Sequence, residues 1–200
     1  EVRVAVPTVN SLLGDKLTAY APRTIGILYD VKRKTDIAKQ LFDIGVLFDA
    51  ATDLSETADV YAATHARQLV YRNAAFSLTD TLNDSIETAF HYSQLALRGG
   101  ANTEHGLFLQ DGVAALQNHL VNHPFRRDEA RIAAGKVACV AAWIQRRLAG
   151  VTIEQLRFQP DRIAELRDLQ IQAPWAHLQR LKGGNPQAFH YWYQAQKILL

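Results

Sequence analysis

Apolar residues recur every three to four positions along most of this 200-residue chain, and helix-stopping residues cut the pattern into short lengths. That period matches one face of an α-helix, so the chain must bury a series of amphipathic helices against one another. Ile37, Leu41, Ile44 and Leu47/Phe48 predict a helix over Thr35–Ala51. Leu12, Leu13 and Leu17 predict one over Thr8–Ala21, which Pro22 stops. Asp53-Leu54-Ser55-Glu56 reads as a capping box opening a helix that runs through Tyr61, His65 and Leu69 to Arg72. Thr79 or Asp80 caps a further helix to Arg98, where Gly99-Gly100 ends it. Helices are also expected over Thr103–His123, Asp128–Leu148, Thr152–Phe158, Asp161–Leu169 and Pro174–Lys182. Gly183-Gly184-Asn185-Pro186 reads as a turn before a closing helix over Gln187–Leu200.

One segment has a different period. Glu1-Val2-Arg3-Val4-Ala5-Val6 alternates with period two and predicts a strand, ended by Pro7. The expected fold is therefore mainly α, one short N-terminal strand followed by a helical bundle. The softest boundary falls near residue 50, giving a strand–helix–helix unit over 1–50 and a helical bundle over 51–200.

The composition, 48% hydrophobic and 21% charged, is that of an ordinary globular chain rather than a disordered or membrane-embedded one. No signal peptide is visible, and the longest apolar run, Val137–Ile144, is too short to span a bilayer, so no membrane partner is expected. The single cysteine, Cys139, excludes an intrachain disulfide and suits a cytoplasmic location. It lies in an alanine-rich helix, where it reads as an inert core thiol. Methionine is absent and the chain opens inside a strand pattern, which leads us to expect a piece of a longer protein. Charge is uneven. Residues 1–100 carry 10 Lys+Arg against 12 Asp+Glu, and residues 101–200 carry 12 against 8. A basic second half suits either a polyanionic partner or a set of solvated helix faces.

The densest polar groupings lie early. Lys16, in Gly14-Asp15-Lys16-Leu17-Thr18-Ala19, sits on an otherwise amphipathic helix, and an ammonium there suits phosphate oxygens as well as plain solvent. In the next helix Asp36, Lys39 and Asp43 share a face. Lys39 and Asp43 form an i, i+4 pair, yet Asp43 stands among Phe42, Ile44 and Leu47, and a part-buried carboxylate needs a partner. Asp43 facing Lys16 is therefore a testable geometry.

The segments Pro7-Thr8-Val9, Leu13-Gly14-Asp15-Lys16-Leu17-Thr18-Ala19-Tyr20-Ala21-Pro22-Arg23-Thr24-Ile25-Gly26 and Lys39-Gln40-Leu41-Phe42-Asp43-Ile44 resemble the third and fourth motifs of the AbiEii nucleotidyltransferase toxins. The resemblance covers about residues 5–50. It implies the C-terminal part of an α+β nucleotidyltransferase of the abortive-infection, type IV toxin–antitoxin class, transferring a nucleotide from NTP to an acceptor, in some members tRNA. It further implies Mg²⁺ as cofactor and a cognate antitoxin as partner. Carried over by position, Lys16 contacts nucleotide phosphates and Asp43 is the late active-site acid, while Thr24 and Lys39 line the nucleotide pocket. The family's first motif, a Gly-rich turn, and its second, a strand with two metal-binding aspartates, are both missing from the sequence and are expected before Glu1. The chain alone is accordingly expected to be catalytically inactive. The competing expectation is a non-catalytic helical interaction domain.

Other groupings carry less. His119 and His123 stand four apart at an expected helix end and have no evident third ligand. Phe189, Tyr191, Trp192 and Tyr193 are expected to dock the terminal helix rather than stack nucleobases.

Overall fold

The computed structural model describes residues 3–200. The helices are α1 Val9–Ala19, α2 Lys34–Ala50, α3 Leu54–Arg72, α4 Leu78–Ser93, α5 Glu104–Gln117, α6 Arg127–Arg146, the single turns α7 Ile153–Leu156 and α8 Leu181–Gly184, and α9 Pro186–Leu199. Short 3-10 segments cover Val31–Arg33, Pro160–Leu166 and Ala176–Arg180. No helix is long and apolar enough to cross a membrane among the described residues.

The centre is α6. Its alanine-rich sequence is buried from Ala133 to Ile144, and α9, α4 and α2 pack around it. Small side chains permit the close approach. A Cβ on Gly135 would stand 2.9 Å from Cβ of Tyr191 in α9, and one on Gly45 of α2 would stand 2.9 Å from Cβ of Ala133. The C-terminal aromatic cluster does dock its helix: Phe189, Tyr191 and Trp192 are buried, and the Trp192 indole N–H donates to Ser93 Oγ at 3.1 Å. One cluster of buried apolar residues runs from Leu13 to Ile198. Cys139 is fully buried in it, and burial pushes its thiol far above the usual range.

The mainly helical expectation holds, and several details are corrected. The strand expected over Glu1–Val6 falls partly on Glu1 and Val2, outside the described residues. Over the remainder no strand forms, and Val4 and Val6 are 75% and 78% exposed. Alternation alone cannot hold a strand, whose backbone groups need a neighbouring strand, and none exists among the described residues. Helix α4 is capped by Ser77 rather than by Thr79 or Asp80, with Ser77 and Asp80 forming its capping box, and it stops at Ser93 rather than Arg98. Beyond it Gln94 folds back to accept from the Ala101 N–H at 3.0 Å. Helix α5 ends at Gln117, so His119 and His123 lie beyond it and share no helix face. Gly183 and Gly184 belong to the turn α8 rather than breaking the chain before α9.

Candidate functional site

Thr8 caps helix α1, its hydroxyl accepting from the Ser11 N–H. Leu13 and Leu17 face the core, and Gly14 lets α1 lie directly on α3. A Cβ at Gly14 would be 2.5 Å from the Thr57 carbonyl oxygen and 3.0 Å from the Tyr61 nitrogen. The two N-termini are also tied. Glu56 of α3 accepts hydrogen bonds from Thr8, Asn10 and Ser11, which holds its carboxyl below the usual range. Asp53 caps α3 through the Ser55 and Glu56 N–H groups, but Glu56 is directed to α1, so the expected capping box is only half formed.

With α1 fixed this way, Lys16 turns toward α2. Its Nζ lies 3.3 Å from Asp43 Oδ2, with 26% and 22% of the two side chains exposed. Asp43 thus takes its partner from the neighbouring helix rather than from Lys39 on its own. Lys39 is exposed one turn away. Asp36, on the same stripe, pairs with Arg33.

Thr24 goes elsewhere. Its hydroxyl donates to Asp84 Oδ2 of α4 at 3.0 Å, and the Arg23 N–H donates to the same oxygen at 2.8 Å. Asp84 is buried, which pushes its carboxyl upward, while these donors pull the other way. The Arg23 guanidinium reaches Glu87 at 2.7 Å and His91 Nε2 at 3.4 Å, and burial lowers the His91 pKa. The loop after α1 is therefore clasped to α4. Sequence reasoning missed the clasp, although Asp84, Glu87 and His91 at i, i+3 and i+7 mark one face of a helix.

A second lysine–aspartate pair was also missed. Lys136 of α6 is 4% exposed and donates to the Gly45 carbonyl at 3.1 Å and to Asp49 Oδ2 at 2.6 Å. Burial pulls its ammonium below the usual lysine range, with hydrogen bonding to Asp49 opposing. It lines a cavity of about 270 Å³ with Phe42, Val46, Phe125 and Ile132. The available signal was a lone charge in the run Ala133-Ala134-Gly135-Lys136-Val137-Ala138.

The basic second half has a use that neither reading of its charge foresaw. Arg131 donates to the Leu95 carbonyl just past α4, Arg146 to Leu199 at the end of α9, and Arg157 to the Ala51 carbonyl at 2.6 Å beyond α2. Arg180 reaches the Arg98 carbonyl at 2.6 Å, and Lys182 the Arg167 carbonyl at 2.7 Å. The first three carbonyls lie at or just past helix C-termini, which leave carbonyls without intrahelical partners and concentrate negative potential, so cations are stabilising there.

No group of three or more His, Cys, Asp or Glu residues is placed to hold a metal among the described residues. Comparisons with protein-family models, with curated proteins and with solved structures find no match.

Proposed function

We propose that this chain is the helical portion of an NTP-dependent nucleotidyltransferase of the AbiEii type, with Lys16 and Asp43 as its nucleotide-facing half-site. The observation that carries the reading is the 3.3 Å pair between α1 and α2, still about one-quarter open to water. An ion pair this exposed contributes only about 0–1 kcal/mol, so exchanging its partner is inexpensive. A triphosphate offers Lys16 stronger, charge-assisted hydrogen bonds than a solvated carboxylate. Lys16 would then balance the charge on the phosphates, leaving Asp43 free to accept a hydrogen bond from the incoming hydroxyl. Lys39, exposed one turn before Asp43, extends the positive face. The acceptor proposed by resemblance is tRNA and the binding partner an antitoxin. Arg131, Arg146 and Arg157 are engaged with helix carbonyls, so they add little to a polyanion surface.

The test is titration of the 200-residue chain with each NTP, followed by amide NMR shifts in α1 and α2. Binding centred on Lys16 and weakened about tenfold in Lys16→Ala is expected, the loss of a single charge-assisted bond. If no NTP shifts α1 or α2, or if Lys16→Ala binds as well as wild type, the reading fails. No Mg-dependent turnover is expected from the chain alone.

A second reading, a non-catalytic helical interaction domain, is favoured by one observation. Five of the better-formed cavities among the described residues are all lined without Lys16 or Asp43. The same titration decides between the two.

A further inference from the structure

We propose that the cavity between α2 and α6 is a carbonyl-capturing site, in which the Lys136 amine condenses with a small apolar aldehyde to form an imine. Four features of the geometry support this. Lys136 is 4% exposed yet lines the cavity. Its Nζ is held by the Gly45 carbonyl at 3.1 Å, which fixes the position of the nucleophile. Asp49 Oδ2, 2.6 Å from Nζ, is a ready proton acceptor. Its side chain is 58% exposed, so it can exchange protons with water and swing aside to admit a ligand.

The walls select the ligand. Phe42 and Phe125 meet edge to face at 5.1 Å, and Val46 and Ile132 complete an apolar lining. About 270 Å³ is close to the lower bound for small-molecule sites, which limits the guest to a single ring or a short chain. Asp49 and Glu129 at the cavity oppose an anion, and the apolar walls favour a neutral carbonyl compound.

A lysine in such surroundings is activated by desolvation, which favours the free amine. The other groups around Nζ act in both directions. Asp49 favours the ammonium, Arg157 opposes it, and the Phe48 and Tyr191 rings lie 5.9 and 5.8 Å away. In the reaction Asp49 takes one proton from the Lys136 ammonium, and the freed lone pair attacks the carbonyl carbon. The C–N bond forms as the C=O π bond breaks, and one proton passes from nitrogen to the alkoxide oxygen to give the neutral carbinolamine. Proton return from Asp49 to its hydroxyl lets water leave as the nitrogen lone pair forms C=N, and the Asp49 carboxylate takes the remaining nitrogen proton to give the neutral imine.

The experiment treats the folded chain with benzaldehyde and cyanoborohydride, which traps the imine as a benzylamine, and maps the modified peptides over time. Lys136 is expected to react about tenfold or more faster than Lys16, Lys32, Lys34, Lys39, Lys182 or Lys197, although it is buried. The preference should vanish in guanidinium. Asp49→Asn, at an exposed position, should slow Lys136 alone. Modification of Lys136 last, in order of exposure, would overturn the proposal. So would a preference that survives denaturation, or an unchanged or faster rate at Lys136 in Asp49→Asn.

Discussion

Helix α2 carries two aspartates that each take a lysine from another helix, Asp43 from α1 and Asp49 from α6. The chemistry of the two pairs is the same and their surroundings are not. Six residues along a helix turn Asp49 well away from the direction of Asp43. Lys16 is about one-quarter exposed, whereas Lys136 has 5% of its side chain exposed beneath Phe48 and Tyr191. The first pair is close to isoenergetic with its separated, hydrated ions. In the second the lysine is part of the core, and its methylenes matter as much as its charge. Burial therefore sets how much each lysine's packing, as distinct from its charge, contributes to stability.

The largest expected effect lies at Lys136. Lys136→Ala removes a buried stem and is expected to cost about 2–4 kcal/mol, the range for emptying a core position. Lys136→Met should recover most of that, because the Asp49 left behind is exposed and returns to water. Urea unfolding of the two variants checks this. Equal losses in both would mean that the charge, rather than the packing, holds α2 to α6.

Next comes the helix contact that aims each lysine. Gly14→Ala places a methyl against the Thr57 carbonyl and is expected to cost about 1–3 kcal/mol. Gly135→Ala meets chiefly the Tyr191 Cβ, and its gain in helix propensity, about 1 kcal/mol, offsets more of the clash. Thermal unfolding should rank Gly14→Ala as the more damaging. The reverse order would show that α1 has room to shift on α3.

Lys16→Ala should change stability by less than about 1 kcal/mol while impairing nucleotide binding. A larger loss on urea unfolding would mean that Lys16, like Lys136, contributes packing to the core.

The smallest effect is a pH slope. The folded chain holds the Lys136 pKa below its ordinary 10.5. Between the folded value and 10.5 the unfolded chain binds the extra proton, so folding stability rises as pH rises through that window. Wild type should gain on Lys136→Met as the pH climbs toward 10.5. A flat difference would mean that Asp49 fully offsets the burial.

Local pattern carried the helices because it is set within a few turns of chain. Ile37, Leu41, Ile44 and Phe48 all face the core, as their spacing requires. The ends were less legible. Gln94 and the Arg131 guanidinium, which reaches the Leu95 carbonyl from α6, finish α4 before its glycines do. Val4 and Val6 alternate as strand residues should, but no neighbouring strand meets them among the described residues.

The candidate site divides in the same way. The sequence by itself determined that Lys16 and Asp43 stand on amphipathic helices, each at the edge of an apolar face. It left open whether Asp43 would pair along its own helix with Lys39 or across to Lys16. The tertiary structure decided that, because the approach at Gly14 seats α1 on α3 with Lys16 toward α2. It also decided that Thr24 would serve Asp84, that arginines would close helix ends, and that Lys136 would be buried beside Asp49. Helical spacing fixes which residues share a face; which faces meet depends on contacts between residues far apart in sequence, and no local pattern encodes them.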